Sequence, residues 1–152
     1  MPIKNTPKGW PRISTVVVYK DAAAAIDWLC RAFGFEVRLK VEGDNGEIQH
    51  SELVYGEGVI MPAQEAAGAT ESYRTKGRSP QSLGGQFTQS LVIQVDDADA
   101  HCARSRAAGA TIFMDPAIHD YGEDYWADKS YGAVDLEGHL WWFSERVRDP
   151  KN

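Results

Sequence analysis

The pair His50 and Glu52 is the clearest candidate for proton-transfer chemistry in this sequence. Both lie in the segment EIQHSELVYG, whose apolar and polar residues alternate as in a β-strand. Residues two apart in a strand share one face, so the imidazole and the carboxylate are predicted to lie together, opposite Leu53. Such a pair could serve as a general acid and base or bind a polar ligand. The alternative is a solvent-exposed sheet face that carries an incidental pair.

Aromatic side chains near the C-terminus are candidates for binding a planar or cationic ligand. The neighbours Trp141 and Trp142 point to opposite faces of a strand, which predicts one tryptophan in the core and one in a cavity. Residues 119–131, HDYGEDYWADKSY, could lie over the mouth of that cavity and favour an aromatic or cationic ligand through cation–π and charge contacts. The candidate ligand contacts in this segment are Tyr121, Trp126 and Tyr131. A dimer contact or a solvated turn is the alternative.

The other histidines and the cysteines carry weaker signals. His101 is predicted to lie on the exposed side of the second helix, and His139 lies in an EGH turn. Cys30 falls on the apolar stripe of the first helix and is expected in the core. Two cysteines are too few for a disulfide framework, and they form no CxxC metal or redox motif.

Composition indicates one folded domain and excludes several classes of partner. The 152 residues carry a net charge of −6, with 43% hydrophobic residues, which is typical of a globular domain and unfavourable for binding nucleic acid. No stretch approaches the roughly 20 apolar residues that span a bilayer. The N-terminal segment MPIKNTPKGWPR lacks the apolar run of a secretory signal. We therefore expect a cytoplasmic protein without nucleic-acid or membrane partners.

The elements that would position these residues occur twice, as two βαβββ units. In the first unit, the β-branched segment ISTVVVY precedes a helix that begins after Asp21 and stops at Gly34, and three strand candidates follow. The second unit repeats this order with SLVIQV, a cap at Asp96 or Asp97, a helix that stops at Gly109, and three more strand candidates. This repetition indicates an internal duplication.

The predicted fold is therefore α+β, with two βαβββ modules forming curved mixed sheets. A single domain is expected over residues 1–152, with module 1 at residues 12–64 and module 2 at residues 88–146. Residues 65–87 are predicted to be a linker, because they are poor in branched aliphatic residues; a flap over a site is the alternative.

Three strings, VVVYKDAAAAIDWLCRAFGFEV, QHSELVYGEGVIM and YGAVDLEGHLWWFSE, resemble the vicinal oxygen chelate superfamily of glyoxalases, bleomycin-resistance proteins and dioxygenases, and within it the PhnB-like branch. The resemblance implies two half-barrels that enclose a cavity, with Trp142 facing it, and a homodimer. The superfamily's metal-ligand positions fall on Ser14, Ser90, Trp142 and a position near Met61. None of these side chains is a credible ligand for a divalent metal, so no metal and no cofactor are expected.

The expected function is that of a metal-independent protein of the glyoxalase/bleomycin-resistance type that binds a small-molecule ligand and sequesters an aromatic or cationic compound. One alternative is a lyase, isomerase or dioxygenase-like enzyme of the same superfamily. Such an enzyme would use His50 and Glu52 as an acid-base pair, or a non-standard metal site with residues such as His119 or Glu123. Another alternative is a structural module whose own side chains fill the cavity.

Overall fold

The protein contains two βαβββ modules, as predicted. A computed structural model describes residues 1–68 and 72–152. Module 1 comprises β1 (Thr15–Tyr19), α1 (Ala22–Phe33), β2 (Glu36–Glu42), β3 (Ile48–Tyr55) and β4 (Gly58–Gln64). Module 2 comprises β5 (Ser90–Gln94), α2 (Ala98–Ala107), β6 (Thr111–Asp120), β7 (Ala127–Val134) and β8 (Leu140–Arg148). Two short 3₁₀ turns, Tyr73–Thr75 and Pro80–Leu83, lie between the modules.

Each module forms one mixed four-stranded sheet with the same topology. Sheet 1 has the strand order β1-β4-β3-β2, and sheet 2 has the order β5-β8-β7-β6. The first strand of each module runs parallel to the last, and the other neighbours are antiparallel. β1 and β5 are therefore edge strands, each hydrogen-bonded to a sheet neighbour on one side only.

Both helices begin at the predicted aspartates. The carboxylate of Asp21 accepts a hydrogen bond from the Ala24 amide at 3.0 Å, and that of Asp97 accepts one from the Ala100 amide at 2.9 Å. α1 ends at Gly34, whose φ of 80° is a left-handed conformation that glycine adopts without strain. Asp97, rather than Asp96, is thus the cap of α2.

Strand alternation gives each sheet a helix-facing side and an opposite side, which we call its open face. Trp141 and Phe143 of β8 are fully buried on the helix-facing side, where Phe33 of α1 packs against both. The core placement of Trp141 is confirmed, and Trp142 lies on the open face of sheet 2. Side chains from both modules form one continuous hydrophobic core.

The D-x-E-G-H stretch before β8 joins the two modules. Asp135 accepts hydrogen bonds from the Tyr19 hydroxyl at 2.7 Å and from the Trp141 indole at 3.0 Å. The Glu137 carboxylate accepts the Lys20 and Asp21 amides at the start of α1, at 2.6 and 3.0 Å. The D-x-E-G-H stretch therefore holds module 1 against module 2.

The other end of α1 is also held by module 2. Helix C-termini leave their last four carbonyls without helical partners, and side chains of α2 donate to all four carbonyls of residues 30–33. Arg104 donates to the first two at 3.0 and 2.9 Å, Ser105 to the third at 3.2 Å and His101 to the fourth at 2.8 Å. Contacts at both ends of α1 thus fix the relative position of the modules.

The segment between the modules is held at Ser79, which is fully buried. Its hydroxyl donates to Glu137 at 2.6 Å, and its amide donates to Glu65 at 2.8 Å. The backbone at Gly77 packs on Val18, because a Cβ placed there would lie 3.0 Å from the Val18 side chain. This part of the predicted linker therefore lies against β1.

Candidate ligand-binding site

The first group of candidate residues lies on the open face of sheet 1. His50 and Glu52 share that face, as the alternation predicts, while Leu53 is fully buried on the other. The imidazole Nε2 lies 3.0 Å from Glu52 Oε1. Because the carboxylate can only accept, Nε2 carries the proton in the neutral ring and Nδ1 remains an acceptor. The pair has the geometry of a carboxylate that orients a histidine base.

Arg38 is a third member of this group that sequence reasoning missed. Its Nε donates to the other oxygen of Glu52 at 2.7 Å, and its guanidinium lies 4.5 Å from the ring centre of Trp10. The strand register shifts between Val37 and Leu39, so Arg38 lies at a β-bulge. Hydrogen bonding to His50, assisted by Arg38, lowers the pKa of the Glu52 carboxyl.

Trp142 lies on the open face of sheet 2, next to a second aromatic ring. Phe113 packs edge-on against it, with ring centres 5.2 Å apart and planes at 84°. Gly132 lies directly beside Trp142 in the register, and Phe113 covers it: a Cβ at 132 would lie 2.6 and 2.7 Å from the two Cε atoms of that ring. We call Trp142, Phe113 and Gly132 the aromatic platform.

Polar groups adjoin the platform along the same strands. Ser130 pairs with Ser144 across β7 and β8, and this pair is the next one on the same face after the pair of Gly132 and Trp142. The two hydroxyl oxygens are 2.5 Å apart. On the other side of β8, Val92 pairs with Trp142 and is 62% exposed. The open face of sheet 2 therefore combines the exposed Phe113 ring with two hydroxyl groups that are buried and hydrogen-bonded to each other, which suits a ligand with an apolar body and a few polar atoms.

Tyr121 and Trp126 form a separate aromatic cluster at the turn between β6 and β7. Their ring centres are 5.0 Å apart, and the Arg146 guanidinium lies 5.7 Å from the Trp126 ring. A cation from the chain itself therefore already occupies one face of this tryptophan. Arg146 is four residues beyond Trp142 on β8, so about 13 Å separates this cluster from the platform.

Tyr131 lies on the opposite side of sheet 2 from the platform. It is fully buried beneath α2, and its hydroxyl is 2.5 Å from His101 Nδ1 and 2.8 Å from Ser105 Oγ. The strand alternation that turns Gly132 to the open face necessarily turns Tyr131 to the helix. This placement removes Tyr131 from the candidate site.

The expectation that His101 is exposed was wrong. Its ring is buried between Tyr131 and the end of α1, and burial lowers the pKa of the imidazole. The same burial raises the pKa of the Tyr131 hydroxyl. Periodicity within α2 alone could not show this, because part of the burying surface comes from module 1.

The superfamily's metal positions do not fit a divalent ion in this chain. Ser14, Met61, Ser90 and Trp142 offer hydroxyl, thioether and indole groups, which are poor ligands for zinc, iron or magnesium. Within residues 1–68 and 72–152, no group of three His, Cys, Asp or Glu side chains is placed to hold a metal. His119 lies opposite Asp128 in the register, without a third such ligand.

None of the helices in the described part of the chain has the length and apolar character needed to cross a membrane.

Comparisons with known proteins agree on the fold. TioX from Micromonospora sp. ML1 is 30% identical, with a TM-score of 0.68, and the match covers 90% of this chain and 99% of TioX. TnmS3, an antibiotic binding protein from Streptomyces, is 15% identical, with a TM-score of 0.61 over 88% of this chain and 93% of its own. An uncharacterized protein of Mycobacterium bovis is 32% identical over 140 residues, which are 91% of this chain and 86% of that protein.

The family comparison covers nearly the whole of both modules. Residues 12–143 match the model of the Glyoxalase/Bleomycin resistance protein/Dioxygenase superfamily. The repeated modules, the mixed sheets and the placement of the helices agree with that match. The chain belongs to the glyoxalase/bleomycin resistance protein/dioxygenase superfamily.

Proposed function

We propose that this protein binds an aromatic small molecule on the open face of sheet 2, without a metal ion. The observation that carries the proposal is the aromatic platform. Phe113 is 47% exposed and stands edge-on to Trp142 over a glycine, so a flat ligand ring can pack against the indole and contact the phenyl ring at once. Aromatic pairs in this geometry contribute about 0.5–1.5 kcal/mol beyond the area they bury.

The surroundings of the platform support a ligand with a polar end. Ser130 and Ser144 can donate and accept hydrogen bonds, and Gln94 pairs with Ser144 from the edge strand. The donor chemistry at the superfamily's metal positions supports binding without a metal. TnmS3 binds an antibiotic, and the shared fold makes sequestration of such a compound a reasonable role for this chain.

A homodimer would enclose this site, and we include it in the proposal. Both open faces carry exposed apolar side chains; they are Val16, Leu39 and Val41 on sheet 1, and Val92 and Phe113 on sheet 2. Exposed patches of this kind often mark interfaces. Sedimentation velocity should show a dimer at micromolar concentration; a monomer there would contradict this part of the proposal.

We also propose a cytoplasmic location. Cys30 and Cys102 are both free thiols, and free thiols suit the reducing compartment in which disulfides are rare.

An enzyme is the second candidate, and the contact between His50 and Glu52 favours it. A carboxylate with a lowered pKa stays ionised at neutral pH, so it can orient the imidazole and stabilise its protonated form. In that case His50 Nδ1 would take a proton from a substrate. His50→Gln should then abolish the catalysed reaction. The affinity of the aromatic platform for the planar aromatic quinoline should stay unchanged in this variant.

Titration with quinoline, a planar aromatic that is uncharged at neutral pH, tests the main proposal. Trp142→Ala and Phe113→Ala should each weaken quinoline binding about three- to tenfold, the equivalent of the aromatic contact they remove. Tyr73→Ala is the matched control, because Tyr73 is an exposed aromatic residue outside sheet 2. Equal losses in all three variants would contradict the proposed site.

A further inference from the structure

A large cleft lies between the modules, and the aromatic platform is not part of its lining. This cleft has a volume of about 1010 Å³. One wall is the end of sheet 1, with Phe35, Tyr55 and Ile60, and the other is the edge strand β5, with Leu91 and Ile93. The walls are therefore largely apolar. The volume is at the upper end of the range for sites that bind drug-sized ligands.

All charged side chains that line the cleft are acidic. They are Glu36, Glu57 and Asp96, all exposed. Within the described parts of the chain, none of the three lies in an ion pair, whereas Glu52 and Asp128 are each paired with an arginine. No basic side chain of the described residues is therefore paired with the carboxylates of the cleft.

A basic side chain beside the cleft is engaged in hydrogen bonds to the backbone. Arg104 lies against Gly34 at the cleft wall, but its guanidinium donates to the Cys30 and Arg31 carbonyls. Burial raises the pKa of the Tyr55 hydroxyl, and the Asp96 carboxylate raises it further against the opposing effect of Arg104. The Asp96 carboxylate therefore acts on the aromatic wall of the cleft.

We propose that this cleft is a second ligand site and that it takes a cationic amphiphile, a molecule with an apolar body and a positive charge. The apolar walls would cover the body of such a ligand, while the carboxylates attract its charge. An anion of the same shape would meet three like charges, and the Arg104 guanidinium beside the wall is held by backbone carbonyls. The site shares Val92 with the open face of sheet 2 but does not include Trp142, so the two sites can be tested separately.

Two ions of matched shape and opposite charge, tetraphenylphosphonium and tetraphenylborate, test this proposal by isothermal titration calorimetry. The phosphonium cation should bind at one site per chain, and the borate anion should not bind there. Raising the ionic strength from about 0.01 M to about 1 M should weaken cation binding, because the screening length falls from about 30 Å to about 3 Å. Equal binding of both ions, or no saturable binding of the cation, would overturn the proposal.

Charge-removing variants locate the site. Glu36→Gln, Glu57→Gln and Asp96→Asn should each weaken phosphonium binding about two- to fivefold, and the triple variant about tenfold or more, as expected for exposed charge pairs. Glu123→Gln is the control, because it removes the same charge outside the cleft, and Trp142→Ala is the control for the platform. Both controls should stay within twofold of the parent protein. An equal loss in Glu123→Gln would show a general charge effect, and an equal loss in Trp142→Ala would place the cation on the platform; either result would overturn the proposal.

Discussion

Replacing Gly132 by alanine should abolish the aromatic platform while leaving the fold intact. The new Cβ would fall 2.6 and 2.7 Å from the Cε atoms of Phe113, too close for any contact, so the phenyl ring must move. Phe113 is 47% exposed, and its ring is the free end of a flexible side chain. The ring can therefore swing into solvent at low cost, and Trp142 loses its edge-on partner.

The expected stability change for Gly132→Ala is small because two effects oppose each other. Loss of the edge-on aromatic pair costs about 0.5–1.5 kcal/mol. Alanine in place of glycine lowers the conformational entropy of the unfolded chain, which stabilises the folded protein by about 0.4–1 kcal/mol where the backbone conformation allows alanine. The free energy of unfolding should thus change by less than about 1 kcal/mol, which limits the shift in Tm to about 2–4 °C for a chain of this size.

Binding should weaken measurably in Gly132→Ala although the fold is retained. Quinoline affinity of Gly132→Ala should fall about as far as that of Phe113→Ala, since both changes remove the same ring from the site. Thermal unfolding and a quinoline titration on the same sample provide both quantities. Adding Gly132→Ala to Phe113→Ala should cause no further loss of affinity, because the ring is already gone. Unchanged affinity in Gly132→Ala, or a Tm lower by 10 °C or more, would refute this reasoning.

Three further predictions concern the contacts around the site. Glu137→Gln should lower the free energy of unfolding in urea by about 2–3 kcal/mol, because it replaces a buried acceptor of three hydrogen bonds; a loss below 0.5 kcal/mol would contradict the joining role of this residue. Burial lowers the pKa of the His101 imidazole in the folded protein. The unfolded chain therefore takes up this proton at a higher pH than the folded protein does, and the free energy of unfolding should fall as the pH drops below about 6.5. His101→Gln should flatten that part of the curve of urea midpoint against pH, and an unchanged slope would refute the assignment. Hydrogen bonding from Arg148 lowers the pKa of the Asp120 carboxyl to about 2. In Arg148→Gln the pKa of Asp120, followed by NMR, should rise towards 3.8, and an unchanged pKa would exclude this pairing.

Local rules predicted the elements of the fold well. Aspartate caps and a terminal glycine determine where α1 begins and ends, and period-two alternation correctly assigns the faces of His50, Glu52 and Trp141. These features depend on neighbours within a few residues along the chain. The repeated order of elements then implied two modules with the same topology.

Tertiary contacts between residues on different strands or modules were not predictable in the same way. Arg38 reaches Glu52 across neighbouring strands, which requires the register of β2 and β3. Phe113 covers Gly132 across neighbouring strands, which requires the register of β6 and β7. His101 is buried partly by residues of the other module, so its environment requires the packing of both modules.

The NMR signal of the Trp142 indole tests the central claim most directly. The five tryptophans give five indole N–H resonances, and Trp142→Phe identifies the one that belongs to residue 142. If the aromatic platform is the binding site, quinoline should shift this resonance saturably while the resonance of the buried Trp141 stays in place. A saturable shift at other tryptophans, with Trp142 unchanged, would contradict the proposed site.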